Sequence, residues 1–356
     1  MKGFDTIRDE GRKAHEDTLN EEMSTLLNEA LVVLGKGKKY GQAVILAGGA
    51  GSGKGFAVTH LLQGELYKVI NPDDFKDLLL KVRDKKTQVG SERLGQVLKD
   101  ISDLDLKNPK DTSTLHMLVK GMNLMQKKIT YLFAGKGGAM QMPNVMFDVT
   151  MKDPETLFGD ASEEGILTQL KNAGYKRDDI HIVWILTDYK IAMQQNLSRD
   201  RVVNSHIVLQ SHAGAAKTMQ EVVFKNYGKM GINGDVVVII GGSKGGSITY
   251  TKGSEIEDKY GKVHTLDRDL KVPVFAKINY FRIKNAGSPQ MSRNGLAAVQ
   301  NYIGKLAPPP KLDFENDPEG ASKFVKRKEK QAVMALARSP KGIDPKVARN
   351  LGYRGL

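Results

Sequence analysis

The 356-residue sequence contains no cysteine, which excludes disulfides and thiolate metal sites. No apolar stretch approaches the roughly 20 residues needed to span a bilayer. The opening segment, MKGFDTIRDEGRKAHED, is charged throughout and holds no signal-peptide apolar core. No internal repeat is visible either. A hydrophobic fraction of 40% beside 27% charged residues is ordinary for a globular chain, and the length allows two or three domains. Together these absences point to the cytoplasm and away from membranes.

What the chain has in excess is positive charge, +13 in all, and it is unevenly placed. Residues 321–356 carry ten basic side chains against two acids, Glu329 and Asp344, a surplus of eight. A segment of this kind suits phosphate backbones or other polyanions, or else serves as a solvated extension.

Apolar periodicity sets the organisation. Residues 5–35 place Met23, Leu26, Leu27, Leu31 and Leu34 at helical spacing, so 1–40 reads as a helical lead-in. Ala43–Ala47 is a short apolar run ending in glycines, the pattern of a buried parallel strand. Tyr67–Ile70, Val145–Asp148, His181–Leu186 and Val236–Ile240 are further strand candidates, separated by helix-length segments. That alternation predicts an α/β fold with a mainly parallel sheet in three layers, over residues 41–245. A polar insert, 76–140, is helical in pattern and contains Asn108-Pro109 and the glycine group Gly135–Gly138. Such inserts commonly cover the site at the strand ends. Residues 246–307 read as a small β-rich addition through Ile248–Thr251 and Val274–Ile283. Pro308-Pro309-Pro310 then opens a stiff linker into the basic tail, 308–356.

The first strand runs into Gly48-Gly49-Ala50-Gly51-Ser52-Gly53-Lys54-Gly55, which fits the phosphate-loop pattern G-x-x-x-x-G-K. Glycines let backbone N–H groups turn toward phosphate oxygens, and Lys54 would bridge the β- and γ-phosphates of ATP. One feature is missing. The residue after the lysine is normally Ser or Thr, whose hydroxyl ligates Mg²⁺, and Gly55 supplies none. Water, the nucleotide or a carboxylate such as Asp148 must then hold the metal.

Three further groups bear on phosphoryl transfer. Asn71-Pro72-Asp73-Asp74 puts two acids past the second strand, where one can orient or deprotonate an attacking hydroxyl. Asp73 is the candidate base, Asp74 a second acid, and the same residues make a good helix start. Asp148 ends the third strand, placed to hold Mg²⁺ or the acceptor. Arg199 and Arg201, about ten residues past the fourth strand, sit where a lid would neutralise the transferring phosphoryl. Arg201 is the favoured contact, with Arg199 bracing the loop.

The set AGGAGSGKG, VINPDDFK, VMFDVT and NLSRDR resembles the zeta-toxin-like branch of P-loop kinases over roughly residues 43–220. The resemblance implies an ATP- and Mg²⁺-dependent kinase in which Asp73 is the general base, Arg201 contacts the γ-phosphate and Asp148 belongs to the substrate pocket. Gly55 and the basic C-terminal third depart from that family. In general terms the chain also resembles phage-encoded P-loop kinases that phosphorylate hydroxymethylated pyrimidines in DNA, which would set it in the host cytoplasm. The basic tail, Lys36–Lys39 and Lys81–Lys86 favour this nucleic-acid acceptor. A nucleotide-sugar is the alternative acceptor. An ATP-dependent nucleic-acid motor or nucleotide-gated binding module is a third reading. Against a motor, no hydrophobic run ends in Asp-Glu; against a GTPase switch, there is no Asn-Lys-x-Asp. Oligomeric state is not legible.

Overall fold

The computed structural model describes residues 32–84, 92–122, 127–129, 142–160, 164–241, 246–250, 255–257, 263–265, 270–274, 280–310, 312–340 and 342–353. Most of the lead-in and the glycine group at 135–138 lie outside these. The chain divides into two compact units. One comprises Met1–Val33, Gly55–Leu66 and Ser243–Ile278, the other Leu34–Lys54, Tyr67–Gly242 and Asn279–Leu356.

The larger unit is built on a six-stranded sheet. β1 (Ala43–Ala47), β2 (Lys68–Ile70), β3 (Val145–Asp148), β4 (Ile180–Thr187) and β5 (Val236–Gly241) run parallel, and β10 (Tyr280–Lys284) joins antiparallel at one edge. The order is β10-β5-β4-β1-β3-β2. Every residue of β1 and β4 is buried, which explains why both read as apolar runs without alternation. On one face Ile45, Phe147, Trp184 and Val238 pack with Leu167 and Leu170 of α6 (Ile166–Asn172) and Val299 of α9 (Arg293–Leu306).

The position of β10 corrects the expected boundary at residue 245. The sheet takes its sixth strand from 280–284, inside what reads as a separate β-rich addition. The strand is short and carries Arg282 and Lys284, so its sequence looks peripheral. Lys284 is nevertheless buried, its ammonium bonded to the Asn233 side-chain and backbone oxygens and set over the Tyr227 ring. The other strands of that stretch belong to the smaller unit. They form two antiparallel pairs, β6 (Gly246–Tyr250) with β9 (Leu270–Val274) and β7 (Glu255–Glu257) with β8 (Val263–Thr265). The same unit holds a short helical stretch, in which Leu61 is buried and its carbonyl accepts from Val32 N–H.

The insert forms α2 (Pro72–Asp84), α3 (Glu92–Asp100) and α4 (Pro109–Gly121), packed through Leu79, Leu80, Ile101 and Leu115. α4 starts as Asn108-Pro109 predicts, the Asn108 side chain accepting from Lys110 N–H. The basic tail also needs correction, for it is not a free extension. α10 (Pro318–Ala337) and α11 (Pro345–Asn350) bury Val325, Val333 and Val347 against Met193 and Leu197 of α7 (Tyr189–Leu197) and Leu209 of α8 (Ser205–Thr218). Between the two short helices α5 (Glu155–Phe158) and α6, Gly159 pairs back with Glu164. Among the described residues no helix is long and apolar enough to cross a membrane.

Candidate active site

The loop Gly48–Lys54 lies between β1 and α1 (Lys54–His60), at the C-terminal end of the strand next to the point where strand order reverses. Gly51 and Gly53 have φ of 77° and 90°, backbone that favours glycine. A Cβ on Gly51 would lie 2.7 Å from the Ala192 carbonyl oxygen, so no side chain fits there. The loop is pinned from below by α8 and β4. Ala50 N–H donates to Ser211 Oγ at 2.9 Å, and Thr187 Oγ1 donates to the Ser52 carbonyl at 2.7 Å. His212 Nε2 lies 3.0 Å from the Ala50 carbonyl. Burial pulls the His212 pKa down to about 4, so the ring is neutral at pH 7 and its Nε2–H donates.

Lys54 Nζ donates to the Gly48 carbonyl at 2.8 Å and lies 3.7 Å from Asp148 Oδ1. Burial lowers the lysine pKa, while Asp148 and Asp73 work in the opposite direction. Burial raises the Asp148 carboxyl, with Lys54 offsetting part of that. The second Asp148 oxygen accepts from Asn71 Nδ2 at 3.0 Å, and Asn71 Oδ1 accepts from Asp73 N–H at 2.9 Å. Asn71 therefore caps α2 and ties the ends of β2 and β3 together. Asp73 sits in the first turn of that helix, two residues past the cap.

Asp73 is ion-paired on both sides, with Lys76 Nζ at 2.7 Å and Arg201 Nη2 at 2.8 Å. Burial would raise its pKa, but Lys76, Arg201 and Lys54 more than offset this and hold it below the usual carboxylate range. Asp74 turns away to Lys128 at 3.5 Å. Arg201 also reaches Asp77 at 3.0 Å. The loop carrying both arginines is closed by Asn196, whose buried side chain donates to the Val203 carbonyl and accepts from Val203 N–H. Among the described residues, the Arg199 guanidinium has no hydrogen bond or ion pair, yet it is close enough to weigh electrostatically on Lys54. In this arrangement Arg201 is engaged with Asp73, and the Arg199 side chain is the unengaged one.

Several site residues escaped the sequence reading. Lys76 is legible in hindsight as i+3 from Asp73 on a helix. Ser211 and His212 carry no motif, and Asn71 was read only as part of a helix start, since their partners lie far off in sequence. A cavity of about 1370 Å³ is lined in part by Pro72, Phe75, His116, Val149 and Lys152; Pro72 and Val149 adjoin Asp73 and Asp148 in the chain, but neither acid lines it.

Among the described residues no group of three or more metal-binding side chains clusters. Asp148, the acid beside Lys54, is the residue that would hold Mg²⁺, with nucleotide phosphates and water completing the shell.

The strand order and the glycine loop define a P-loop NTPase-type α/β fold. No family model matches the chain, and no curated protein sequence does. Among solved structures, a chain of the AvrRxo1-ORF1:AvrRxo1-ORF2 complex with sulphate ions is similar at 14% identity, over 96% of this chain and 89% of that one, with a TM-score of 0.46. The same complex with ATP gives 15% identity, 97% and 90% coverage and a TM-score of 0.45. A chain from the PezAT chromosomal toxin–antitoxin system of Streptococcus pneumoniae gives 11%, 90%, 95% and 0.37. At these scores the fold assignment rests on this chain's own sheet and loop.

Proposed function

We propose that the chain is an ATP-dependent phosphotransferase that moves the γ-phosphate onto an alcohol hydroxyl, in the manner of zeta-toxin-like P-loop kinases. One observation carries the reading: Lys54, Asp148, Asn71, Asp73 and Arg201 form a continuous polar chain from the phosphate loop to a carboxylate. Gly48–Gly53 backbone and Lys54 hold the phosphates. Asp73 accepts the proton as the acceptor oxygen bonds to phosphorus and the bond to ADP breaks. Its ion pairs keep it ionised but weaken it as a base. When Arg201 turns to phosphoryl oxygens, Asp73 is left with one cation fewer and gains basicity. Arg199, unengaged beforehand, adds the second positive charge. Mg²⁺, held by Asp148, would supply charge neutralisation at the phosphates. ATP use sets the enzyme in the cytoplasm, that of the host for a phage-encoded chain.

The acceptor in this proposal is a nucleic-acid hydroxyl, such as a hydroxymethylpyrimidine in DNA. The exposed cations Lys326, Arg327 and Lys330, on the outer side of α10, support it. A nucleotide-sugar is the second reading, favoured by the cavity lined in part by Pro72 and Val149, which is ample for a molecule of that size. No observation favours a motor. The test is incubation with γ-labelled ATP and a panel of modified and unmodified DNA, RNA and nucleotide-sugars. Wild type should label one class, and Asp73→Asn should lower kcat by about 10²–10⁴ while sparing ATP binding. Labelling of nothing in the panel, or full activity in Asp73→Asn, refutes the proposal.

A further inference from the structure

The loop between α7 and α8 carries both arginines, and Asn196 closes it from inside. A second support comes from the insert. Val202 N–H donates to the Leu106 carbonyl at 2.9 Å. Beside it, Lys107 Nζ donates to the Arg199 carbonyl at 3.1 Å and to Asp200 Oδ1 at 3.2 Å. The same ammonium lies 3.4 Å from Asp344 Oδ2. Asp344 caps α11 through its other oxygen, which accepts from Lys346 N–H. Asp105, two residues from Lys107, accepts from Asn350 Nδ2 at 3.1 Å and pairs with Lys346 at 3.2 Å. One lysine of the insert therefore joins the arginine loop to the C-terminal helices.

Taken singly, these rim contacts add little stability, since exposed ion pairs are screened. Their importance is directional. Lys107 grips a backbone carbonyl within the arginine loop, and two acids from different segments fix where its ammonium sits. Moving that carbonyl moves both guanidinium groups relative to Lys54 and Asp73.

We propose that Lys107 is a positioning residue for phosphoryl transfer, held by Asp344 so that Arg199 and Arg201 are aimed at the phosphate site. This rests on the phosphotransfer reading above. It also gives the C-terminal segment a part in turnover that does not depend on its surplus of positive charge.

The test compares the full-length wild type with Lys107→Ala, Lys107→Arg, Asp344→Asn and the Lys107→Ala/Asp344→Asn double variant. Misplacement by about an ångström lowers rates by up to about 10²-fold, so kcat of Lys107→Ala should fall by about 10- to 100-fold. KM for ATP should change by less than about threefold, because the phosphate loop is untouched. Lys107→Arg, which reaches the same acceptors, should restore most of kcat. Asp344→Asn keeps the helix cap and should show a smaller loss, and the double variant should be no worse than Lys107→Ala. Amide exchange at residues 199–202, measured with an ATP analogue bound, should accelerate in Lys107→Ala at unchanged melting temperature. Wild-type kcat or unchanged exchange in Lys107→Ala overturns the proposal. So does a loss that arginine fails to rescue, or one that accompanies a lower melting temperature and lost ATP binding. Exchange needs no turnover: a wild type inactive on every acceptor, with the exchange difference present, counts against the phosphotransfer reading and not against the brace.

Discussion

The phosphate loop and the arginine loop are held in opposite ways. Buried, uncharged contacts fix the first: Ser211, His212 and Thr187 bond its backbone, and Gly51 meets the Ala192 carbonyl with no room for a side chain. Around the second, apart from the Asn196 clasp and the Val202–Leu106 backbone bond, the bonds are charged, to Asp73, Asp77 and Lys107. Uncharged buried bonds give one geometry, set before substrate arrives. Ion pairs near water can be exchanged for a phosphate at small net cost. The molecule thus keeps its phosphate cradle rigid and its charge-neutralising groups free to change partners.

Substitutions at the two loops should separate these roles. Lys54→Ala removes the cation of the rigid loop and should abolish transfer while weakening ATP binding. Arg199→Ala and Arg201→Ala should each lower kcat by about 10³ with little effect on ATP binding. Arg201→Ala should also strengthen Asp73 as a base, because Arg201 is ion-paired with it and is one of the cations that hold its pKa down. The acid limb of the kcat/KM profile should then move to higher pH in Arg201→Ala, and by less in Arg199→Ala, whose guanidinium acts on Asp73 only through space. Matching shifts in both variants would erase the distinction between the arginines.

The rigid loop makes a second prediction, on stability. His212 has its pKa lowered to about 4 in the folded chain, against about 6.5 when unfolded. The unfolded state therefore binds the extra proton first as pH falls. Stability from this group is complete above about pH 6.5 and declines down to about pH 4, by on the order of 3 kcal/mol. His212→Gln can still donate to Ala50 but cannot titrate. Thermal melts between pH 7 and pH 4.5 should show a shallower decline for the variant. Equal slopes would mean that His212 is not the titrating group.

The sequence was most legible where a local rule decides the structure. β1 and β3 fall where the apolar runs end in Gly48 and Asp148, because a parallel strand buried on both faces leaves no alternative. The phosphate loop was readable for the same reason. What stayed hidden depends on partners distant in the chain. The Asn71–Asp148 bond, which joins two strand ends, cannot be inferred from either segment alone. Nor can Arg201 be seen to pair with Asp73, since the two lie in segments far apart in the chain. The C-terminal third misled through composition. Its positive charge suggests a free tail, while Val325 and Val333, spaced for one buried side of α10, and Val347 on α11 mark helices that pack into a buried cluster.

That packing changes how the nucleic-acid reading must be tested, and the expected effect is the smallest of these. Removing residues 321–356 would strip Val325, Val333 and Val347 from Met193 and Leu197, so α7 and the arginine loop would lose their support along with the charge. Neutralising charge alone is cleaner. Lys326, Arg327 and Lys330 are exposed, Arg327 lying over the Phe324 ring at 5.3 Å, whereas Lys323 is paired with Glu319 at 2.7 Å and Lys328 bonds Gln331. Lys326→Gln/Arg327→Gln/Lys330→Gln should leave melting temperature and ATP binding unchanged, since glutamine keeps the helix propensity and none of the three is buried. If α10 lies along a polynucleotide, the variant should bind DNA more weakly at low salt. Its log K against log salt slope should flatten by about 0.9 for each duplex phosphate that the variant no longer neutralises. A kinase of a nucleotide-sugar in the cavity lined in part by Pro72 and Val149 predicts no change in acceptor KM at any salt concentration. Because the three side chains lie on the exposed side of α10 and leave Val325 and Val333 packed against Leu197 and Val202, kcat at saturating acceptor should be preserved under either reading. The slope alone therefore decides between them, and an unaltered slope would leave the nucleotide-sugar as the acceptor to pursue.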